Sequence, residues 1–125
     1  MDTIEQEIQA KGLTAPRVTP ADIEAEIASE HYFTAAQGYT RVQEEAVFNR
    51  VGVTNGEGCA TPPQLELLTF CVLVLRNGFT ITGESACASP ENFDAEIGRK
   101  IARQSAVAKV WPLLGFRLRD TLSAA

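Results

Sequence analysis

One stretch limits the possible folds more than any other. Leu67 to Leu75 reads LLTFCVLVL, and Arg76-Asn77-Gly78 and FTITGES follow it directly. A run this short that is apolar at both alternations reads as a strand buried on two faces, central in its sheet or covered by a helix and a second subunit. Asn-Gly tolerates the positive φ of a tight hairpin. Beyond the turn, Phe79, Ile81 and Gly83 alternate with Thr80, Thr82 and Glu84, so the second strand carries one apolar and one polar face. A lone hairpin is marginal. Further strands are therefore expected from another chain or from residues 51–63.

A helix is predicted from about Pro90 to Val110. Ser89 is its N-cap, Pro90 and the acids Glu91 and Asp94 suit its first turn, and Pro112 stops it after Trp111. Phe93, Ile97, Ile101, Ala108 and Trp111 share a face and are expected to pack on the sheet. Asn92, Glu96, Arg99 and Arg103 form a near column on the opposite side, and Glu96 with Lys100 is a favourable i,i+4 pair. The remainder, LLGFRLRDTLSAA, reads as a short apolar tail with Arg117 and Arg119 interleaved. These elements predict an α+β fold: a small antiparallel sheet built on the hairpin 67–85, packed by the C-terminal helix, with residues 67–122 as the core unit.

The chain before the hairpin is more polar. Asp2 to Lys11 suggests a short helix ending at Gly12, and residues 1–18 an N-terminal arm, frayed or docked on another subunit. Thr19, Pro20 and Asp22 match a capping box, and Ile23, Ile27 and His31 fall in one helical column. Residues 35–39 read as a break around Gly38, and Arg41 to Arg50 as a short helix. Residues 51–63, rich in Gly, Thr and Pro, read as a surface loop. The Gly56-x-Gly58 spacing within it lacks the following lysine of a phosphate loop, and Pro62-Pro63 blocks the helix such a loop needs.

Length and composition bound the function. A chain of 125 residues with 45% apolar and 22% charged residues fits one soluble domain, 1–125. The net charge of −5 disfavours nucleic-acid backbone binding but leaves room for a local basic site that holds a small anion. No apolar run is long enough to span a membrane, and MDTIEQEIQAKG is unlike a secretory signal, so a cytoplasmic location is expected. Three cysteines without CxxC spacing fit reduced thiols, with Cys71 a buried small hydrophobe. His31 is the single histidine and reads as a packed or hydrogen-bonded residue rather than a metal ligand. No metal, cofactor or catalytic residue is called for.

The chemistry singled out is binding. Arg99 and Arg103, one turn apart, have the geometry to chelate a diphosphate through paired guanidinium hydrogen bonds. Asn92 is suited to a base edge or ribose hydroxyl, and Phe79 to stacking on a base. The same residues also fit a solvated helix face steadied by Glu96, with Phe79 in the core.

The run LTFCVLVLRNGFTITGESACASPENFDAEIGRKIARQSAVAKVWPLLGFRL, preceded by TPADIEAEIASEHYFTA, resembles a family of small, uncharacterised phage and prophage proteins through its NGFT…GES…NFD.EIGRK.A…VW pattern. That family is in turn similar to the Thoeris anti-defence proteins of the first type. Those are phage-encoded oligomers that bind cyclic ADP-ribose isomers, and in some members cyclic oligonucleotides, without cleaving them. The resemblance implies a homodimer or dimer-built hexamer, an interface pocket, a site in the infected host's cytoplasm, and ligand contacts mapped onto Phe79, Asn92, Arg99 and Arg103. It implies no enzyme activity. Two other functions remain open from the residues: a protein-interaction module inhibiting a host or phage enzyme, and a small nucleotide hydrolase or lyase.

Overall fold

A computed structural model describes residues 3–48 and 60–125. Its elements run α1 (Thr3–Ala10), α2 (Pro20–Glu26), β1 (Ile27–Thr34), α3 (Ala35–Phe48), β2 (Leu68–Leu75), β3 (Thr80–Ala86) and α4 (Ala95–Ala124), with short 3-10 turns at Pro63–Leu67 and Pro90–Asn92. The fold is α+β: an antiparallel sheet of order β1-β2-β3 lies against one long helix. The readings of the Gly-rich loop, of Cys59 and of the end of the 41–50 helix fall wholly or partly on residues 49–59, outside the described residues.

The hairpin forms as its pattern demands. Leu75 N–H donates to the Phe79 carbonyl at 2.8 Å, and Gly78 takes φ 88°, open to glycine at little cost. β2 is central and alternates half-buried with buried positions, because Thr69, Cys71, Leu73 and Leu75 face α4. On β3, Ile81, Gly83 and Ser85 face the helix while Thr80, Thr82 and Glu84 stay exposed. The third strand comes from neither another chain nor residues 51–63. It is β1, paired antiparallel to β2 from Ile27 opposite Leu75 to Thr34 opposite Thr69.

That strand corrects the helical reading of Ile27 and His31. The capping box at Thr19 and Asp22 starts α2 as expected, yet the helix ends after Glu26. Ile27, Tyr32 and Phe33 are β-branched or aromatic and prefer a pleated surface once β2 offers a partner edge. His31 stands exposed on β1, with Nε2 3.0 Å from Ser29 Oγ. The expected break around Gly38 is also absent. Thr34 and Gln37 form a capping box in which Thr34 N–H donates to Gln37 Oε1 at 2.8 Å and Gln37 N–H to Thr34 Oγ1 at 3.1 Å. The helix they start runs continuously through Gly38 to Phe48.

The last helix differs most from expectation. Asp94, not Ser89, caps it by accepting from Ile97 N–H at 2.9 Å, and Pro112 lies inside it rather than ending it. A proline in a helix interior costs about 3 kcal/mol of helix stability. Val110 and Leu114, buried on either side of it, carry the chain across. The sheet-facing stripe is Gly98, Ala102, Ala106, Val110 and Leu114, whereas Ile97 and Ile101 are largely exposed. Small residues win that face because helix and sheet meet at backbone distance. A Cβ on Gly83 would lie 2.9 Å from Ala106 Cα and closer still to two other α4 backbone atoms. Ile23, Cys71, Leu73 and Val110, all essentially inaccessible to solvent, fill the centre of the core.

Candidate functional site

Two helices begin at the same end of the sheet. Thr34 ends β1 and caps α3, and Asp94 caps α4. Between them lies a hollow of about 200 Å³ lined by Tyr32, Phe33, Thr34, Gln37, Thr69, Phe93, Ala95 and Arg99. A second hollow, of about 590 Å³, adjoins it and shares Thr34, Gln37 and Phe93. Its further walls include Arg41, Glu44 and Glu66, so charge divides along the depression. The Arg99 end is cationic. The Arg41 end is neutralised, because Arg41 Nε lies 3.1 Å from Glu45 and Nη1 3.8 Å from Glu44.

Arg99 is exposed and forms no salt bridge among the described residues. The amino ends of α3 and α4, each with roughly half a positive charge, reinforce it. Tyr32, Phe33 and Phe93 give the same hollow aromatic walls, and Phe33 also packs on Phe70 with ring centroids 5.6 Å apart. A free guanidinium, helix N-termini and aromatic faces together suit an anion joined to a planar ring.

Arg103 lies one turn further along α4 and is held differently. Its Nε donates to Glu30 at 2.8 Å and its Nη2 to Glu24 at 2.7 Å, so it ties α4 to β1 and α2. Tyr32 OH donates to the other Glu30 oxygen at 3.1 Å. The Arg103 hydrogen bond holds the Glu30 carboxyl below the usual carboxylate range, although partial burial opposes this. Burial, aided by Cys71 and Glu30, pushes the Tyr32 phenol up to about 12. Burial likewise raises the Cys71 thiol, which is inaccessible and so not poised as a nucleophile.

The four residues picked from sequence are thus distributed. Arg99 lines the hollow, and Asn92 is exposed and precedes Phe93 in its wall. Arg103 is engaged by two carboxylates. Phe79 is exposed at the hairpin tip, beside Leu113 and Arg117 at the far end of α4. Fourteen helical residues separate Arg99 from Leu113, a rise of ~21 Å, so Phe79 and Arg99 do not share a site within one chain. Sequence reasoning missed Tyr32, Phe33, Thr34 and Gln37. The T-x-x-Q spacing that places them was present in the chain.

The candidate site is thus a depression between two helix N-termini on a small α+β scaffold, and the comparison with known families is consistent with the phage resemblance. The profile of the phage protein (N4 Gp49/phage Sf6 gene 66) family matches residues 18–122, from just before α2 almost to the end of α4, and the chain belongs to that family. No curated protein and no solved structure matches it. Among the described residues no helix is long and apolar enough to cross a membrane, and no cluster of three or more His, Cys, Asp or Glu is arranged to hold a metal ion.

Proposed function

We propose that this phage-family protein binds and holds a cyclic nucleotide immune signal, a cyclic ADP-ribose isomer or a cyclic oligonucleotide, without cleaving it, and so blocks Thoeris-type immunity in the infected host's cytoplasm. The observation that carries the reading is Arg99, an uncommitted cation set among three aromatic rings at two helix N-termini. In this reading the phosphates lie at the Arg99 end. The rings flank the base, Asn92 reaches it from the adjacent turn, and the larger neighbouring hollow takes the rest of the ligand. The first hollow alone falls below the roughly 300–1,000 Å³ of small-molecule sites, and its neighbour supplies the missing room. Arg103 positions the wall by fixing Glu30 and Tyr32. Phe79 reaches such a ligand only from a second copy of the chain, in keeping with a homo-oligomer. Sequestration needs tight binding rather than a general base, and a roughly nanomolar Kd corresponds to about −12 kcal/mol.

The test is a thermal-shift screen against cyclic ADP-ribose isomers and cyclic di- and trinucleotides, followed by mass spectrometry of what boiling releases. The expected result is a rise of several degrees, intact ligand recovered, and loss of the rise in Arg99→Glu. Released but altered ligand would mean a hydrolase or lyase. No shift with any nucleotide would sink the reading and favour a protein partner.

A further inference from the structure

The hairpin tip carries a chemically reactive pair that the candidate site does not use. Asn77 and Gly78 are both exposed, in the turn between β2 and β3. Gly78 N–H donates to the Leu75 carbonyl at 2.9 Å, inside the Leu75–Phe79 bond that closes the hairpin. With Gly78 at positive φ, this is a three-residue hairpin loop whose last residue forms a G1 bulge. Phe79 N–H donates to Asn77 Oδ1 at 3.0 Å, so the side-chain amide folds back over the turn. That bond polarises the side-chain carbonyl and leaves Cγ more electrophilic. The nucleophile is the next nitrogen in the chain, that of Gly78. A Cβ built on Gly78 would meet nothing within 4 Å, so this nitrogen lies open to water and hydroxide.

We propose that Asn77 is a site of spontaneous covalent modification, converted through a cyclic imide to aspartyl and isoaspartyl forms at a rate set by the hairpin turn. The Gly78 nitrogen gives its proton to hydroxide and attacks Asn77 Cγ. The bond from Cγ to the side-chain nitrogen breaks, that nitrogen takes a proton from water and leaves as ammonia, and a five-membered ring closes. Water then adds to one of the two ring carbonyls and the ring opens. Cleavage at Cγ restores the ordinary main chain with a side-chain carboxylate. Cleavage at the main-chain carbonyl carbon routes the chain through Cβ and Cγ instead. The balance is one water consumed and one ammonia released, with no oxidant or co-reactant. Either product adds one negative charge to the −5 of the chain.

The fold controls the rate and decides what each product does. Attack needs the Gly78 nitrogen free of the Leu75 carbonyl and the Asn77 side chain free of Phe79, so the closed turn must open first. Each bond contributes modestly, and the two together slow the reaction roughly tenfold or more relative to the unfolded chain. The aspartyl product keeps an oxygen for Phe79 N–H and so keeps the turn. The isoaspartyl product adds a carbon to the main chain between residues 77 and 78, in a loop whose length fixes the register of β3. That register places Gly83 opposite Cys71 and against the backbone of Ala102 and Ala106, where no side chain fits. A slip of one residue brings Thr82 or Glu84 to the same joint. Isoaspartate therefore loosens α4 from the sheet.

Incubation of the full chain in mildly alkaline buffer, folded and in urea, tests this without any nucleotide. Samples are digested with pepsin in acid, where imide formation stalls, and the mass gain of amide-to-acid conversion is mapped by tandem mass spectrometry. The expected result is conversion at Asn77 in the folded chain, roughly tenfold or more slower than in urea. A second Asn-Gly pair, Asn55-Gly56, lies outside the described residues, and the mapping separates it from Asn77. Asn77→Gln, which would have to close a six-membered ring, should abolish conversion at that position. Freshly purified Asn77→Asp should keep the urea midpoint of the parent, whereas the isoaspartyl chain, separated by chromatography, should unfold at lower urea. Conversion of the folded chain only at other positions, equal rates folded and in urea, undiminished conversion of Asn77→Gln, a lowered midpoint for Asn77→Asp, or an isoaspartyl chain as stable as the parent would each overturn the proposal.

Discussion

Arg99 and Arg103 are the same residue type one turn apart on one helix, and their surroundings give them different work. Arg103 holds Glu24 and Glu30 with its side chain 30% exposed, whereas Arg99 stands free over the hollow. Partly exposed ion pairs contribute about 1 kcal/mol after solvent screening. Arg103→Ala should therefore lower the melting temperature by roughly 3–5 °C. Arg99→Ala should leave stability within about 0.5 kcal/mol of the parent. Thermal unfolding of the two variants side by side decides, and the reverse ranking would refute these assignments. Their spacing was legible in the sequence, as was the Glu96–Lys100 pair, found at 3.4 Å. The difference between them was not, because the carboxylates that engage Arg103 lie 79 and 73 residues away in the chain. Tyr32 and Phe33 were hidden for another reason: the helical column of Ile23, Ile27 and His31 masks the strand they belong to until a partner strand is known.

At the scale of elements, the approach of α4 to β3 is the tightest joint in the fold. Gly83 faces the backbone of Ala102 and Ala106 with no room for a methyl group. Gly83→Ala must push the helix off the sheet, spreading the loss over Leu73, Ile81 and Val110, and should cost about 3 kcal/mol or more. Urea unfolding measures it, and a loss below about 1 kcal/mol would mean that the helix shifts freely. Hairpin, central β2 and a covering C-terminal helix could all be read from alternation and from Asn77-Gly78. The helix face was misread because the large apolar side chains of Ile97 and Ile101 were assigned to the sheet, whereas of that set Trp111 does pack against the core. Where backbones nearly touch, small residues occupy the joint and large ones are displaced to other faces. β1 escaped notice because only seven residues of helix precede it and the capping box masked the change of period at Ile27.

For the molecule as a whole, acid is the informative perturbation, because carboxylates join its parts. Glu30 binds Arg103, Glu26 binds Arg117 at 2.7 Å, and Glu5 grips Arg17 with both oxygens at 2.7 and 2.8 Å. Each arginine hydrogen bond holds its carboxylate low, to about 2 for Glu5. A carboxylate with a depressed folded pKa stabilises fully above its unfolded value, about 4.5, and loses that contribution as pH falls through the folded one. The consequences differ by place. α1 buries no residue, so protonating Glu5 releases α1 from Arg17 without opening the core. Glu26 and Glu30 join α4 to α2 and β1, inside the region that matches the phage family, and their protonation weakens the packed unit itself. The urea midpoint should therefore fall as pH drops from about 5 toward 2. The double variant Glu26→Gln, Glu30→Gln should start lower by about 1–2 kcal/mol and show a shallower pH slope over that window. Arg17→Ala should leave the midpoint unchanged at neutral pH while speeding hydrogen exchange in α1 alone. If the double variant keeps the full slope, the acid sensitivity resides in other carboxylates, and α4 is held to α2 and β1 by apolar contact rather than by these pairs.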